Sequence, residues 1–411
     1  MLKVELKRIL KTRSTCWLLV IAFVLSILLA VLTINAQYTD AGMLRDYYGA
    51  DYVRGFDAIN MKKQRYEQIE EAVTPDKISG AYEAYHKVAG EYGNAHIPTD
   101  VYYEKIVPIM GIFYATSQVF YDADGAEKAL DDITPSEAAT FYSQRKKYIS
   151  TVLSSKYSGH PEVVDYALTL DESVKEPFEY HYGIGDSDSA EYLTICTLML
   201  AIICAVITAP MFSAEYANSS DDILRSTKKG KSRLALVKVI SSLTVSIGLY
   251  ILCVGVFAVI TLAAFGLDSS SIQFGKSTLI FAPLTENSLL ILLLVSGFLT
   301  VLAICSFSLF LSSKLNSPML SLAISIGVAL LPTIINLVGG GSNIINWIRL
   351  CLPSAGFGFG TNMFYELISG TFLWIGKMVV WSPYALLITA ALELPIFSGL
   401  AVISYNKHEL S

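Results

Sequence analysis

The run 212-FSAEYANSSDDILRSTKKGKSRLALVK-238 is the one long polar stretch that separates two long apolar stretches and also carries an excess of basic residues. Arg225, Lys228, Lys229, Lys231, Arg233 and Lys238 stand against Glu215, Asp221 and Asp222. A short basic loop between two membrane spans faces the cytoplasm by the positive-inside rule. That assignment orients every other segment and marks where a cytosolic partner would push on the membrane region.

The composition calls for spans on either side of it. Hydrophobic residues make up 53% of the 411 and charged residues 16%, with a mean hydropathy of +0.49, too apolar for an ordinary soluble protein. Several runs of about 20 residues carry no charge, the length that crosses about 30 Å of hydrocarbon. Charge is unevenly placed. Residues 37–190 hold 14 Lys and Arg against 26 Asp and Glu, so this segment is strongly acidic and the rest of the chain net basic. An acidic segment on the face opposite the basic loop lies outside the cell, and no broad basic field exists for nucleic acid. All six cysteines lie in or beside apolar runs, none in 37–190, and no CxxC pattern suggests zinc or redox chemistry.

Read outward from the loop, the sequence predicts an all-α polytopic membrane protein with six spans and both termini cytoplasmic. Residues 1–15 form a basic amphipathic helix at the inner interface, with Leu2, Leu6, Ile9 and Leu10 on one face and Lys3, Lys7, Arg8 and Lys11 on the other. The spans are predicted at 16–36, 193–212, 239–265, 288–311, 319–338 and 384–405, with 213–238 as the cytoplasmic segment and 406–411 as a tail. Residues 37–190 read as a mainly helical extracellular domain. Its helix starts are legible at Thr74-Pro75-Asp76, Thr134-Pro135-Ser136-Glu137 and Gly159-His160-Pro161-Glu162. Its many tyrosines read as packing residues. Residues 339–383 combine three glycines at 339–341, Arg349, Glu366 and Lys377 with Trp347, Trp374 and Trp381. That mixture predicts two short helices dipping into the outer interface rather than two more full spans, since charges at depth are costly.

Several motifs dissolve on counting. Gly230-Lys231-Ser232 and Gly275-Lys276-Ser277 resemble the end of a phosphate loop, but Arg225 and Ser270 stand where the first glycine belongs. No ATP site is expected in this chain. The run Tyr121–Glu127 hints at a calcium loop, yet Gly125 falls at position four and Ile133 at position twelve. The histidines show no ligand spacing, so no metal and no cofactor are expected. Two features remain. Asp221 and Asp222 suit a helix start, and Lys228 and Lys229 suit its end, so a short helix over 220–229 is expected across the inner face, with Glu215 at the bend below the second span poised to meet a cytosolic surface. Glu393 lies mid-span, two residues before Pro395, where a charged group costs about 2.5–3.5 kcal/mol on insertion scales and so faces a partner or a cavity. It is the candidate for the translocation path.

The run Phe212, Glu215, Ile223-Leu224-Arg225-Ser226, Gly230, Arg233, Lys238 resembles the coupling segment of ABC-2 type exporter permeases. The amphipathic start, the large domain after the first span and the partly inserted segment before the last also resemble the bacterial branch typified by sodium and antimicrobial-peptide exporters. Many members carry glycine near the position of Ser219, where this chain departs. The resemblance implies a non-enzymatic permease subunit in the bacterial plasma membrane, paired with a second permease subunit as homodimer or heterodimer. Two cytosolic ATPase subunits would bind the ATP and magnesium. It further implies that Glu215, Asp221, Asp222, Leu224, Arg225, Lys228, Lys229 and Arg233 form the seat for the ATPase. The substrate class stays open between peptide, drug, lipid and ion. A different class of function, a membrane-anchored sensor or scaffold binding a ligand through the ectodomain, also accommodates a large domain on spans; an intramembrane protease does not, for want of HExxH or a Ser-His pair within the spans.

Overall fold

A computed structural model describes residues 1–40, 52–93, 96–122, 124–227, 230–339, 341–358 and 360–408. It is 75% helical, and the strands among the described residues form only two-stranded sheets, so no sheet closes. Among the described residues, six helices are long and apolar enough to cross a membrane: Arg13–Asn35, Ser189–Ala217, Ser232–Phe265, Glu286–Lys314, Pro318–Val338 and Ser382–Lys407. The chain is a multi-pass membrane protein.

The fourth span is the hub of the bundle. Its buried face carries Ser296, Gly297, Thr300, Ala303, Ser306 and Ser312, small residues that let neighbouring backbones approach closely. Gly297 shows how close: a Cβ there would come within 2.7 Å of the Tyr250 hydroxyl, which donates to the Leu294 carbonyl at 2.8 Å. The first span buries Ala22, Ser26 and Ala30, one small residue per turn, and leaves Trp17, Val20, Val24 and Leu28 exposed as a lipid-facing side. The six cysteines are free thiols, four of them buried among the spans.

The third span departs from the prediction. It starts at Ser232 rather than 239, so Arg233 and Lys238 belong to the helix and not to the loop. Its 34 residues extend about 51 Å, well beyond about 30 Å of hydrocarbon, which leaves room for charges at its near end. Before the first span, the helix Leu2–Lys11 is present, but Glu5 turns inward with Ile9 while Leu2, Val4 and Leu10 stay exposed.

The large domain is helical as read, with helices that include Phe56–Tyr66, Pro75–Tyr92, Phe141–Lys156 and Pro161–Asp171. Thr74 caps its helix by accepting from the Lys77 amide at 3.2 Å, and Thr134 accepts from Glu137 at the same distance. The domain has its own core, in which Val73, Tyr82, Phe113, Phe120, Phe141 and Phe178 are buried. Tyrosines pack here with their hydroxyls engaged: Tyr142 donates to the Val73 carbonyl at 2.6 Å and accepts from the Phe178 amide at 2.9 Å.

Phe274, from the connection between the third and fourth spans, belongs to the same core. The domain is thus seated on that connection. Ser270 exchanges hydrogen bonds with the backbone of His181, and Lys276 donates to the Gly185 carbonyl at 2.7 Å. Arg145, fully buried, holds both Asp171 oxygens and the Thr278 carbonyl. Residues 339–383 complete the same end with the short helices Asn343–Leu350 and Met363–Ile368, neither long enough to span. A hairpin of Phe372–Ile375 against Met378–Trp381, turning at Gly376 with φ +59°, is an addition that the sequence reading missed.

Candidate functional site

The opposite end gathers most of the residues singled out in the loop. Proline at 210 starts a helix Pro210–Ala217 that continues the second span, so Glu215 lies on its last turn. The third span, starting early, brings Lys238 alongside. Lys238 is 1% exposed and Glu215 7% exposed, and the two form an ion pair. Lys238 Nζ also donates to the Met211 carbonyl at 2.9 Å. The other Glu215 oxygen accepts from Arg8 Nη1 at 3.0 Å, and Arg8 is paired in turn with Glu5. Four alternating charges therefore join the N-terminal helix to the second and third spans. Glu215 does not face a cytosolic surface as the sequence suggested; it is turned into the protein because Lys238 is a helix residue within its reach. A cavity of about 260 Å³ lies beside this chain, between Arg8, Thr12 and Thr15 on one wall and Pro210 and Met211 on the other.

The short helix exists but is shorter than expected, Asp221–Ser226. Lys228 and Lys229 lie outside the described residues. Ser219 precedes the helix with φ +52°, in the left-handed region that glycine occupies without strain. Gly230 follows it, where any Cβ would collide with the Leu224 carbonyl, so the chain crosses itself there only because the residue is glycine.

Of the predicted site residues on this helix, Asp221 and Arg225 are each 5% exposed and point inward. They lie 3.8 Å apart. Arg225 donates to the His408 carbonyl and stands 5.5 Å over the Tyr405 ring. His408 stacks on Tyr216 at 3.9 Å, and Tyr216 donates to the Ser313 carbonyl at 3.3 Å. Asp222 and Leu224 are half-buried. The helix is thus fastened through Arg225 to the end of the sixth span, whose His408 stacks in turn on Tyr216 of the second. What it offers outward is Ile223, 73% exposed, with Ser226 and, across the turn, Lys231 and Arg233. Ile223 was missing from the sequence-derived site because charge, not exposed apolar surface, drew attention to the loop. Lys238, Tyr216, Tyr405 and His408 were missed because their roles depend on which span ends meet.

Glu393 is 9% exposed, and its Oε2 has no hydrogen-bond partner. It lines neither the cavity beside Arg8 nor the larger one at the opposite end of the bundle. No group of His, Cys, Asp and Glu among the described residues could hold a metal ion.

Six apolar helices, a head seated on their connections and a charged joint at the other end define the class, a polytopic helical membrane protein with a large domain between its first two spans. No family model matches the chain, and no curated protein or solved structure matches it either.

Proposed function

We propose that this chain is the membrane-spanning permease subunit of an ATP-driven ABC exporter in a bacterial plasma membrane. A separate cytosolic ATPase would seat on the face formed by Asp221–Ser226, Lys231 and Arg233, and a second permease subunit would complete the pair. Hydrolysis belongs to the partner, which binds the ATP and magnesium. The observation that carries this reading is the joint Glu5–Arg8–Glu215–Lys238 beneath a helix that presents one exposed isoleucine. A push on a free loop dissipates in the loop. A push on a helix bonded through Arg225 to the end of the sixth span, beside a joint linking the amphipathic helix to two spans, is delivered to rigid elements.

Ser219 supports the reading further, because its left-handed backbone is what glycine would provide at the place where the resembled permeases often carry it. In mechanism, nucleotide-driven closure of the ATPases would favour one arrangement of the spans over another, which requires a differential interaction with the two. Glu393, buried and with one oxygen unpartnered, is the candidate polar group along the path.

The test is whether the full chain co-purifies with any ATPase encoded beside it and stimulates that ATPase's turnover. Ile223→Asp puts a charge at the centre of the proposed contact, so turnover stimulated by the permease should fall at least about tenfold while the folded yield of the permease is unchanged. Normal stimulation in that variant, or the absence of any associated ATPase, would turn the reading toward a sensor or scaffold.

A further inference from the structure

A cavity of about 360 Å³ opens where the fifth span ends and the head begins, within the size range of small-ligand sites. Its walls include Lys156 at the end of helix Phe141–Lys156, Asn336 near the end of the fifth span, Asn346 and Arg349 on helix Asn343–Leu350, Glu366 on helix Met363–Ile368, and Trp374 on the hairpin. Two cations face one carboxylate, so the lining is net positive.

The bonding of these groups is incomplete. Arg349 is 4% exposed and Glu366 2% exposed; one guanidinium nitrogen pairs with one carboxylate oxygen. A second guanidinium nitrogen reaches only to the Asn346 amide oxygen at 3.5 Å, and Arg349 Nε has no partner. Glu366 Oε2 has none either. Lys156 donates to the carbonyls of Ser369 at 3.0 Å and Gly370 at 3.2 Å, which accounts for two of its three hydrogens. Buried polar atoms left unpaired cost free energy, about 1–3 kcal/mol each, so the arrangement calls for a molecule that accepts from the cations and donates to the carboxylate.

The setting indicates which molecule. Helix Asn343–Leu350 buries Arg349 and Leu350 and exposes Ile344 and Ile348, one turn apart, the pattern of a helix lying in a membrane interface. Trp347 donates to the Trp374 carbonyl at 3.3 Å, and aromatic residues of this kind mark the headgroup level. Asn336 stands two residues before the end of the fifth span. The cavity is therefore at the depth of lipid headgroups, beside the acyl region. We propose that it binds the headgroup of a phospholipid, the phosphate held by Lys156 and Arg349 and a headgroup ammonium or hydroxyl donating to Glu366. Arginine and lysine suit a phosphate through charge-assisted hydrogen bonds, and the carboxylate selects a headgroup that has a donor. The site requires no ATPase and stands apart from the transport reading.

The experiment uses the purified full chain, stripped of lipid in detergent, with thermal unfolding followed as single lipids are added. Phosphatidylethanolamine and phosphatidylglycerol should raise the melting temperature saturably. Phosphatidylcholine, which has no headgroup donor, should bind at least about fivefold more weakly, and diacylglycerol, which has no phosphate, should not shift the melt. Arg349 variants strand a buried carboxylate and are expected to misfold, so the variant of choice is Lys156→Glu at the cavity rim, which should weaken the phospholipid-induced shift about tenfold when that shift is read against the variant's own lipid-free melt. Equal stabilisation by diacylglycerol, or an unchanged response in Lys156→Glu, would overturn the site. Inorganic phosphate matching the lipid at equal concentration would overturn the lipid and assign the cavity to a soluble phosphate compound.

Discussion

The two ends of the six-helix bundle are fastened in different ways. At the head end the joint is distributed: Arg145 on Asp171 and the Thr278 carbonyl, Ser270 on the His181 backbone, Tyr157 on the Gly370 carbonyl and the Phe372 amide, with Phe274 inserted into the core of the large domain. At the loop end the joint is a single file of four charges, Glu5, Arg8, Glu215 and Lys238, beside an aromatic clasp of Tyr216, Tyr405 and His408. Many weak bonds make a rigid seat that no single substitution releases. A short file of charges, with Glu5, Glu215 and Lys238 buried and Arg8 exposed, is a joint whose integrity rests on few members.

Substitutions can break that contrast or sharpen it. The largest effect is expected for Glu215→Ala, which leaves Lys238 buried without its counter-charge and should cost about 3–5 kcal/mol, read as loss of folded yield and of melting temperature. Adding Lys238→Met to it should recover most of the loss, because an apolar pair replaces a lone charge. Arg145→Met strands Asp171 in the same way but leaves the other head contacts in place, so about 3 kcal/mol is expected; a loss equal to or larger than that of Glu215→Ala would show that the head seat is not distributed.

Next comes pH. Burial pushes the Asp186 carboxyl up to about 6, and the charge of Asp268 adds to it, while the Gly183 amide, the Tyr180 hydroxyl and Lys276 pull the other way. The folded state thus holds this proton more tightly than the unfolded chain does. Its contribution is complete below about pH 4 and is lost as pH rises through about 6, by at most about 3 kcal/mol. Asp186→Asn should flatten the melting profile of the head over that window and raise its stability at pH 7; an unchanged slope would remove Asp186 as the source. The smallest effect is Ser219→Gly, which relieves a left-handed serine and should stabilise the loop by less than about 1 kcal/mol without loss of ATPase stimulation.

How much of this was legible follows from where the information lies. Six apolar runs and three proline-marked helix starts are local, and a single sequence carries them. The early start of the third span was not local. Arg233 and Lys238 look like loop charges until Glu215 is known to stand opposite, and only then does a lysine inside a helix make sense. The hairpin at 372–381 was hidden because its aromatic and β-branched residues also fit an interfacial helix, and a single glycine at 376 does not by itself declare a turn. The proposed site divided along the same line: the polar run is local and legible, while the split between inward Glu215, Asp221 and Arg225 and outward Ile223 depends on which span ends meet. The cavity had half a sequence signal: Arg349, Glu366 and Trp374 stood out within 339–383, but nothing linked them to Lys156, about 180 or more positions earlier.

The clasp at the loop end has a consequence for how the protein is made. Arg8 pairs with a residue 207 positions further along, and Arg225 with a carbonyl 183 positions further along. At about 5–20 residues per second, each guanidinium waits roughly 10–40 s for its partner to leave the ribosome. During that interval the early spans are already being threaded, with each guanidinium held only by the acid of its own helix, Glu5 or Asp221.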